Sequence, residues 1–514
     1  MTHVLAAQRA VEELLFFSET RGLVEREDIP YARNLLLDVT HLDAPGEEIV
    51  IDPLPETATV YLDKLLNAVV GMGLIEDTLT ERELFGTRVM GCVTPAPAIV
   101  RHEFKRLRET QGPEAATKWF YQLCRDCDYI RVDQIKRNIR YFAQTDCGEL
   151  EITINLSKPE KDPREIAKLK SAPQAGYPKC MLCIENPGYA GRLNFPARQN
   201  HRVVPIKLNG DDWYFQYSPY LYYPEHCIIF NGRHVPMVIG RDSFQRLFDF
   251  VDQFPHYFIG SNADLPIVGG SILNHDHFQG GNYIFPMDKA GDICALASPI
   301  PGVKAAVVDW PMSVLSLEGK DREALIDLAM RVLDDWRGYS DPEREILAHT
   351  TENHNTITPI LRKTDDNYRL MLVLRNNRTT AEHPLGLFHP HAPLHHIKKE
   401  NIGLIEVMGL FILPGRLKEE LALLEGHLTG EKLLGEPGAD DPSHKHYPWI
   451  SALAAKTGTK LSQEEARQAL RLAVADVCSQ VLADAGVYKR TGDGLKGMLT
   501  FLRTAGFESP KQYI

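Results

Sequence analysis

The order strand, helix, strand, His-x-His occurs twice along this chain, ending near residue 279 and again near residue 391. A repeated mixed unit excludes both an all-helical bundle and an all-β sandwich. In the first copy WYFQY (213–217) and HCIIF (226–230) are short, aromatic and β-branched, as strands are. SFQRLFDFVDQF (243–254) has helical periodicity, HYFIG is a further strand, and residues 273–279 are predicted to form the strand that carries the histidines. In the second copy a helix is expected over 319–336, strands over 355–361 and 368–375, and then His389-Pro390-His391. A strand over 403–412 and helices over 416–428 and 462–483 follow, the helices separated by the polar stretch GEPGADDPSHKHYPW.

Residues 1 to about 145 read as helical. Leu5, Val11, Leu14 and Leu15 share one helical stripe, and Leu62, Leu65, Leu66 and Val69 share another. The first seventeen residues lack a basic region and carry Glu12 and Glu13, so they read as an amphipathic helix and not as a signal peptide. ELEITINL (149–156) alternates and marks the switch to strand, and a charged, proline-containing connector runs from Lys158 to Lys179. The fold class is α+β. Three regions are expected: a helical one over 1–145, a catalytic one over 146–310, and one over 311–514 that ends in helices.

Composition narrows the function. With 514 residues the chain can bury large cores. Its net charge of -12 argues against a nucleic-acid protein held by general electrostatics. No run of ~18 apolar residues suggests a membrane span. These features suit a cytoplasmic enzyme of small molecules. Four of the nine cysteines form two Cys-x-x-Cys pairs, which in a reducing compartment point to metal before disulfides.

The densest chemistry lies in Gly269-Gly270-Ser271-Ile272-Leu273-Asn274-His275-Asp276-His277-Phe278-Gln279-Gly280-Gly281. On a strand, His275, His277 and Gln279 share one face, and Asp276 and Phe278 the other. The flanking glycines allow the backbone to approach a phosphate closely. A neutral imidazole is a nucleophile near pH 7, and a backbone carbonyl can fix its second nitrogen. Gln279 donates hydrogen bonds but cannot ionise, so it can stabilise charge on phosphorus without activating water. The stretch therefore favours phosphoryl-group transfer over hydrolysis, to a leaving group that is already a stable phosphate.

Cys180-Met181-Leu182-Cys183 can place two thiolates on one zinc, with His234 and His275 as the best candidates for the remaining ligands. Cys124 and Cys127 end a predicted helix, and there the structural reading is favoured. Five of the nineteen histidines fall between His383 and His396. They are open to either a metal or phosphate role or a polar rim, and the neighbouring Lys398, Lys399 and Arg416 could neutralise a phosphate, with surface solvation the favoured reading.

The Gly-Gly-Ser turn and His275-x-His277-x-Gln279 resemble the active-site motif of the galactose-1-phosphate uridylyltransferase branch of the histidine-triad superfamily. CRDCDYIR (124–131) and HHIKKENIGLIEVMGLFILPGRL (395–417) resemble its class II bacterial members. The resemblance implies two histidine-triad-like, antiparallel-sheet halves with a helical N-terminal extension. It also implies a homodimer, with UDP-glucose and galactose 1-phosphate as substrates, exchanged through a covalent uridylyl-histidine. By motif position His277 is the nucleophile and Gln279 holds phosphoryl oxygens. Asn262 and Ser271 are implied substrate contacts, counted with Gly270 and Asn274 of the same loop. Cys180, Cys183, His234 and His275 fall where the family's zinc ligands lie, and His354, His389 and His391 are partial counterparts of a second metal site. The rival readings are a phosphorylase or hydrolase of the same superfamily, or a non-catalytic nucleotide-sugar binding protein.

Overall fold

The computed structural model describes residues 2–157, 176–432, 438, 441 and 443–510. Most of the expected connector from Lys158, and part of the polar stretch after residue 434, lie outside the described residues. Thirteen strands run through the described residues: β1 (Ile139–Thr145), β2 (Gly148–Asn155), β3 (Val204–Leu208), β4 (Asp211–Tyr217), β5 (Cys227–Asn231), β6 (Phe258–Gly260), β7 (His277–Gly281), β8 (Asp292–Leu296), β9 (Lys304–Val308), β10 (Val314–Gly319), β11 (Asn355–Thr364), β12 (Asn367–Asn376) and β13 (Leu410–Pro414). The chain divides into two compact units, Met1–Arg137 with Ser157–Val235, and Asn138–Leu156 with Pro236–Ile514. Mixed helices and sheets bear out the α+β class.

In the first unit the helical region forms as expected except at Leu5, which is exposed, and the helices end at Ile135, so the expected helical span to 145 is corrected by strand β1 over Ile139–Thr145. Helix His3–Thr20 buries Val11, Leu14, Leu15 and Phe17, and Thr2 caps it by accepting from the Leu5 backbone N–H. Glu12 and Glu13 are buried too. They are tolerated because each carboxylate has a cation: Arg33 grips Glu12 through two nitrogens, both at 2.9 Å, and Lys64 Nζ sits 2.7 Å from Glu13. Strands β3, β4 and β5 pair antiparallel in sequence order. Phe120 from helix Pro113–Asp126 packs on Phe215 and Tyr217 of β4, and the Tyr217 hydroxyl donates to the Thr117 carbonyl at 2.9 Å.

In the second unit the strands run in the order β7-β6-β11-β12-β10-β9-β8, every neighbour antiparallel. Helix Arg241–Gln253 packs on β6 and β11, and helix Arg322–Gly338 on β10, β11 and β12. Both are amphipathic, and the buried Trp336 is anchored by donating Nε1–H to the Thr356 and Arg375 carbonyls, 3.1 Å each. A second sheet has the order β1-β2-β13, with β13 parallel to β2.

Two expected strands are shorter than the alternation suggested. The histidine strand begins only at His277, residues 273–276 forming no strand, and earlier in the loop Ala263 and Gly269 are joined by an isolated bridge. A Cβ on Gly269 would lie 2.5 Å from the Ala263 carbonyl oxygen. The strand expected over 403–412 is instead helix Leu404–Val407 followed by β13. Glu406 accepts from the Gly403 backbone N–H and Asn262 from that of Leu404, so side chains satisfy the helix start. Among the described residues no helix is long and apolar enough to cross a membrane.

Candidate functional site

In the second unit β7 pairs with β6 through Gly260 opposite Gln279, Ile259 opposite Gly280 and Phe258 opposite Gly281. The expected alternation applies only from His277 onward, since His275 and Asp276 precede the strand and residues 275–278 are all buried. Asp276 lies 3.5 Å from Arg246 of helix Arg241–Gln253, Phe278 is in the core, and Gln279 is half-buried. His277 is 6% exposed, and its Nδ1 lies 2.8 Å from the His275 carbonyl oxygen. A carbonyl only accepts, so Nδ1 carries the proton and the Nε2 lone pair is left for chemistry. Burial keeps the ring neutral, pulling its pKa down to about 4.

The remaining predicted contacts divide. Asn262 is buried, and its Oδ1 accepts from the Leu404 backbone N–H at 2.9 Å. A Cβ at Gly270 would stand 2.7 Å from the Asn262 amide nitrogen, so a larger residue there requires that side chain to shift. Ser271 and Asn274 are exposed.

In the first unit Cys180, Cys183 and His234 come together, their ligand atoms within 4.8 Å of one another. The two sulfurs are 3.6 Å apart, and Cys183 Sγ is 3.2 Å from His234 Nδ1. Two thiolates ~2.3 Å from one tetrahedral ion would stand roughly 3.8 Å apart, so the pair fits zinc. The turn is fixed from outside: Asn186 Nδ2 donates to the carbonyls of Cys180 and Cys183 at 2.9 and 2.7 Å. His275, in the second unit, is 1% exposed.

The histidines between 383 and 396 are engaged by protein groups. His391 Nε2 lies 3.0 Å from the Leu387 carbonyl, and His395 Nε2 lies 2.8 Å from that of Pro390. His389 Nε2 meets Asn401 at 3.3 Å, and His383 stacks on His391 at 4.1 Å. His354 meets Asn377 and Thr350 at 2.8 and 2.7 Å. Lys398 is not a solvated surface charge: it is buried and pairs with Glu406 at 3.1 Å.

Sequence reasoning missed a cavity of about 650 Å³ in the first unit, walled by Tyr129, Arg131, Asn194, Phe195, Arg198 and Tyr220. Its floor depends on the Cys124–Cys127 turn. Asn200 Nδ2 donates to the Cys127 carbonyl at 2.9 Å, and the Cys127 thiol to the Asn200 carbonyl at 3.5 Å. The CRDCDYIR segment is thereby pinned to residues 198–202. The signal available in the sequence was the aromatic and arginine content around these two segments, which no local period links.

Comparison with known proteins matches the chain in two consecutive stretches. Residues 44–236 match the sequence family described as galactose-1-phosphate uridyl transferase, N-terminal domain, and residues 250–430 its C-terminal domain. The chain is 50% identical over 507 residues to the galactose-1-phosphate uridylyltransferase of Caldanaerobacter subterraneus, covering 97% of this chain and 98% of that protein. To the enzyme of the same name from Bacillus subtilis it is 45% identical over 511 residues, 98% of each. Among solved structures, yeast Ap4A phosphorylase Apa2 is a remote likeness, with TM-score 0.32 and 12% identity over 68% of this chain and 98% of that one.

Proposed function

Since this chain belongs to the galactose-1-phosphate uridylyltransferase family, we propose that His277 is the nucleophile of its reaction. The enzyme transfers the uridylyl group of UDP-glucose to galactose 1-phosphate, in galactose metabolism. In the first step His277 Nε2 attacks the α-phosphorus. A P–N bond forms, the bond from that phosphorus to the bridging oxygen breaks, and glucose 1-phosphate leaves with the electron pair. In the second step a phosphate oxygen of galactose 1-phosphate attacks the same phosphorus, the P–N bond breaks, and UDP-galactose leaves. Neither step needs an external acid, because each leaving phosphate is already a stable anion and the imidazole departs as it arrived.

The observation that carries this reading is the hydrogen bond from His277 Nδ1–H to the His275 carbonyl, which presents Nε2 unprotonated. Gln279, two residues on, supports it as a donor to the equatorial phosphoryl oxygens, and the Gly270–Ser271 turn and Asn274 as the loop beside the phosphates. Asn262 supports the site through its amide nitrogen, which packs on Gly270. The cavity in the first unit has the size and aromatic lining of a nucleotide subsite.

Zinc would suit the donors of Cys180, Cys183 and His234, and the resemblance would add His275 as its fourth ligand. When bound it supplies a rigid cross-link and no redox chemistry. A cytoplasmic homodimer is the setting that the resemblance supports. The decisive test uses UDP-glucose labelled in uracil. Wild-type protein retains label after denaturation and His277→Ala retains none. Labelled His277→Ala protein would refute the assignment.

A further inference from the structure

Beside the nucleophile lies an ion pair that the two transfer steps do not use. Asp276 separates His275 from His277 in the chain, and its Oδ2 lies 3.5 Å from Arg246 Nη1. Both side chains are largely withdrawn from solvent, at 8% and 12% exposed. Arg246 comes from helix Arg241–Gln253, which buries Phe244, Leu247, Phe248, Phe250 and Val251 and packs on β6 and β11. A second carboxylate, that of Asp242 one turn earlier, lies 4.0 Å from Arg246 Nη2. The guanidinium thus reaches the motif from a rigid element, with one carboxylate near each of two nitrogens.

What this pair can govern follows from covalent geometry. The His275 carbonyl, which accepts from His277 Nδ1–H at 2.8 Å, and the Asp276 backbone nitrogen belong to one planar peptide unit. Turning that plane turns the acceptor away from the ring. Both residues precede β7, and the pairing of β7 with β6 reaches back only to Gln279, so that ladder does not set the angle of the plane. A neutral imidazole carries its proton on either nitrogen, and the acceptor facing Nδ1 selects between the two forms. A carboxylate deprived of its buried cation turns towards water, and here it would carry the peptide plane with it.

Resting on the uridylyltransferase reading above, we propose that Arg246 and Asp276 are positioning residues for the nucleophile, their ion pair holding the His275–Asp276 peptide plane so that its carbonyl keeps the proton on His277 Nδ1 and the lone pair on Nε2. The relay runs from the helix to Arg246, to Asp276, to the carbonyl and to the ring, and every link lies in the second unit. A nucleophile oriented through a third group is a familiar arrangement, and here a peptide plane stands between the carboxylate and the imidazole.

The test reads the tautomer directly. The full chain is isotope-labelled in its histidine nitrogens, and long-range proton–nitrogen correlation spectra are recorded at neutral pH, the His277 signals being those lost in His277→Gln. Wild-type protein shows the Nδ1–H form. In Arg246→Gln and in Asp276→Asn the Nε2–H form grows, and kcat for exchange between UDP-glucose and glucose 1-phosphate falls about tenfold with KM unchanged. Arg246→Lys keeps the charge and retains most of the wild-type tautomer and rate. The double variant of Arg246→Gln and Asp276→Asn loses no more than either single variant, because the pair acts as a unit. Arg241→Gln breaks the exposed ion pairs of the same helix with Glu323 and Asp327, and leaves tautomer and kcat as in wild type. If Arg246→Gln and Asp276→Asn lowered only the thermal midpoint, with tautomer and kcat unchanged, the proposal would be overturned. An equal loss in Arg241→Gln would overturn it as well. Absence of uracil label on wild-type protein would instead refute the reading on which the proposal rests.

Discussion

One backbone carbonyl decides which nitrogen of His277 carries the proton, and the residue that supplies it is two positions earlier in the chain. The local sequence therefore contains both the proposed nucleophile and the group that orients it, and strand geometry alone sets Phe278 on the opposite face from His277 and Gln279, whereas Asp276 lies before the strand begins. The start of the strand was not legible, because it depends on pairing with β6, which local alternation does not register. Two predictions belong at this scale. Gln279→Leu keeps the shape but removes the donor, and is expected to slow isotope exchange between UDP-glucose and glucose 1-phosphate by about 100-fold. Gly270→Ala forces the Asn262 amide to move, and is expected to reduce exchange and lower the thermal midpoint by a few degrees, together costing about 1–2 kcal/mol.

At the scale of elements, the Cys180–Cys183 turn and the C-terminal helices each make a claim that solution measurements reach. Metal analysis of the purified protein is expected to find about one zinc per chain, and its removal with a chelator to lower the thermal midpoint; a metal-free protein with an unchanged midpoint after chelation would remove the zinc. The polar buttress of helix Leu417–Thr429 is different in kind. His396 Nδ1 lies 2.8 Å from His446 Nδ1, and His446 Nε2 lies 3.0 Å from Glu420, which Arg416 and Lys445 also hold. Burial and then the neighbouring His446 pull His396 down to about 4. An ordinary histidine titrates near 6.5, so between pH 6.5 and 4 the unfolded chain binds a proton that the folded chain does not. Stability is thus present above pH 6.5 and lost as pH falls through that window. Thermal melts from pH 7.5 to 5 should show the decline, and His396→Gln should flatten it. None of this was readable from the sequence, which places His396 and His446 in separate polar runs with nothing to pair them.

Across the whole molecule the balance of charge sharpens the functional reading. A chain of net charge -12 attracts anionic sugar nucleotides only where it concentrates cations locally, so the arrangement of charge around the site carries more weight than the overall sign. Long-range pairing is what the sequence conceals most fully. The ELEITINL strand was evident, but its sheet partner β13 was predicted as part of a longer strand, and nothing local says that the two are neighbours and parallel. Only folding joins the hairpin of β1 and β2, which follows the first helices in the chain, to a strand ending at Pro414.

That late partner has a bearing on how the protein is made. A ribosome working from the amino end exposes Ile152 and Ile154 long before Leu410 to Pro414 has been synthesised, so one edge of this hairpin stays sticky through most of translation. Nascent chains stalled short of residue 410 should bind chaperones or precipitate, and shielding of that edge should begin only once the closing segment clears the exit tunnel.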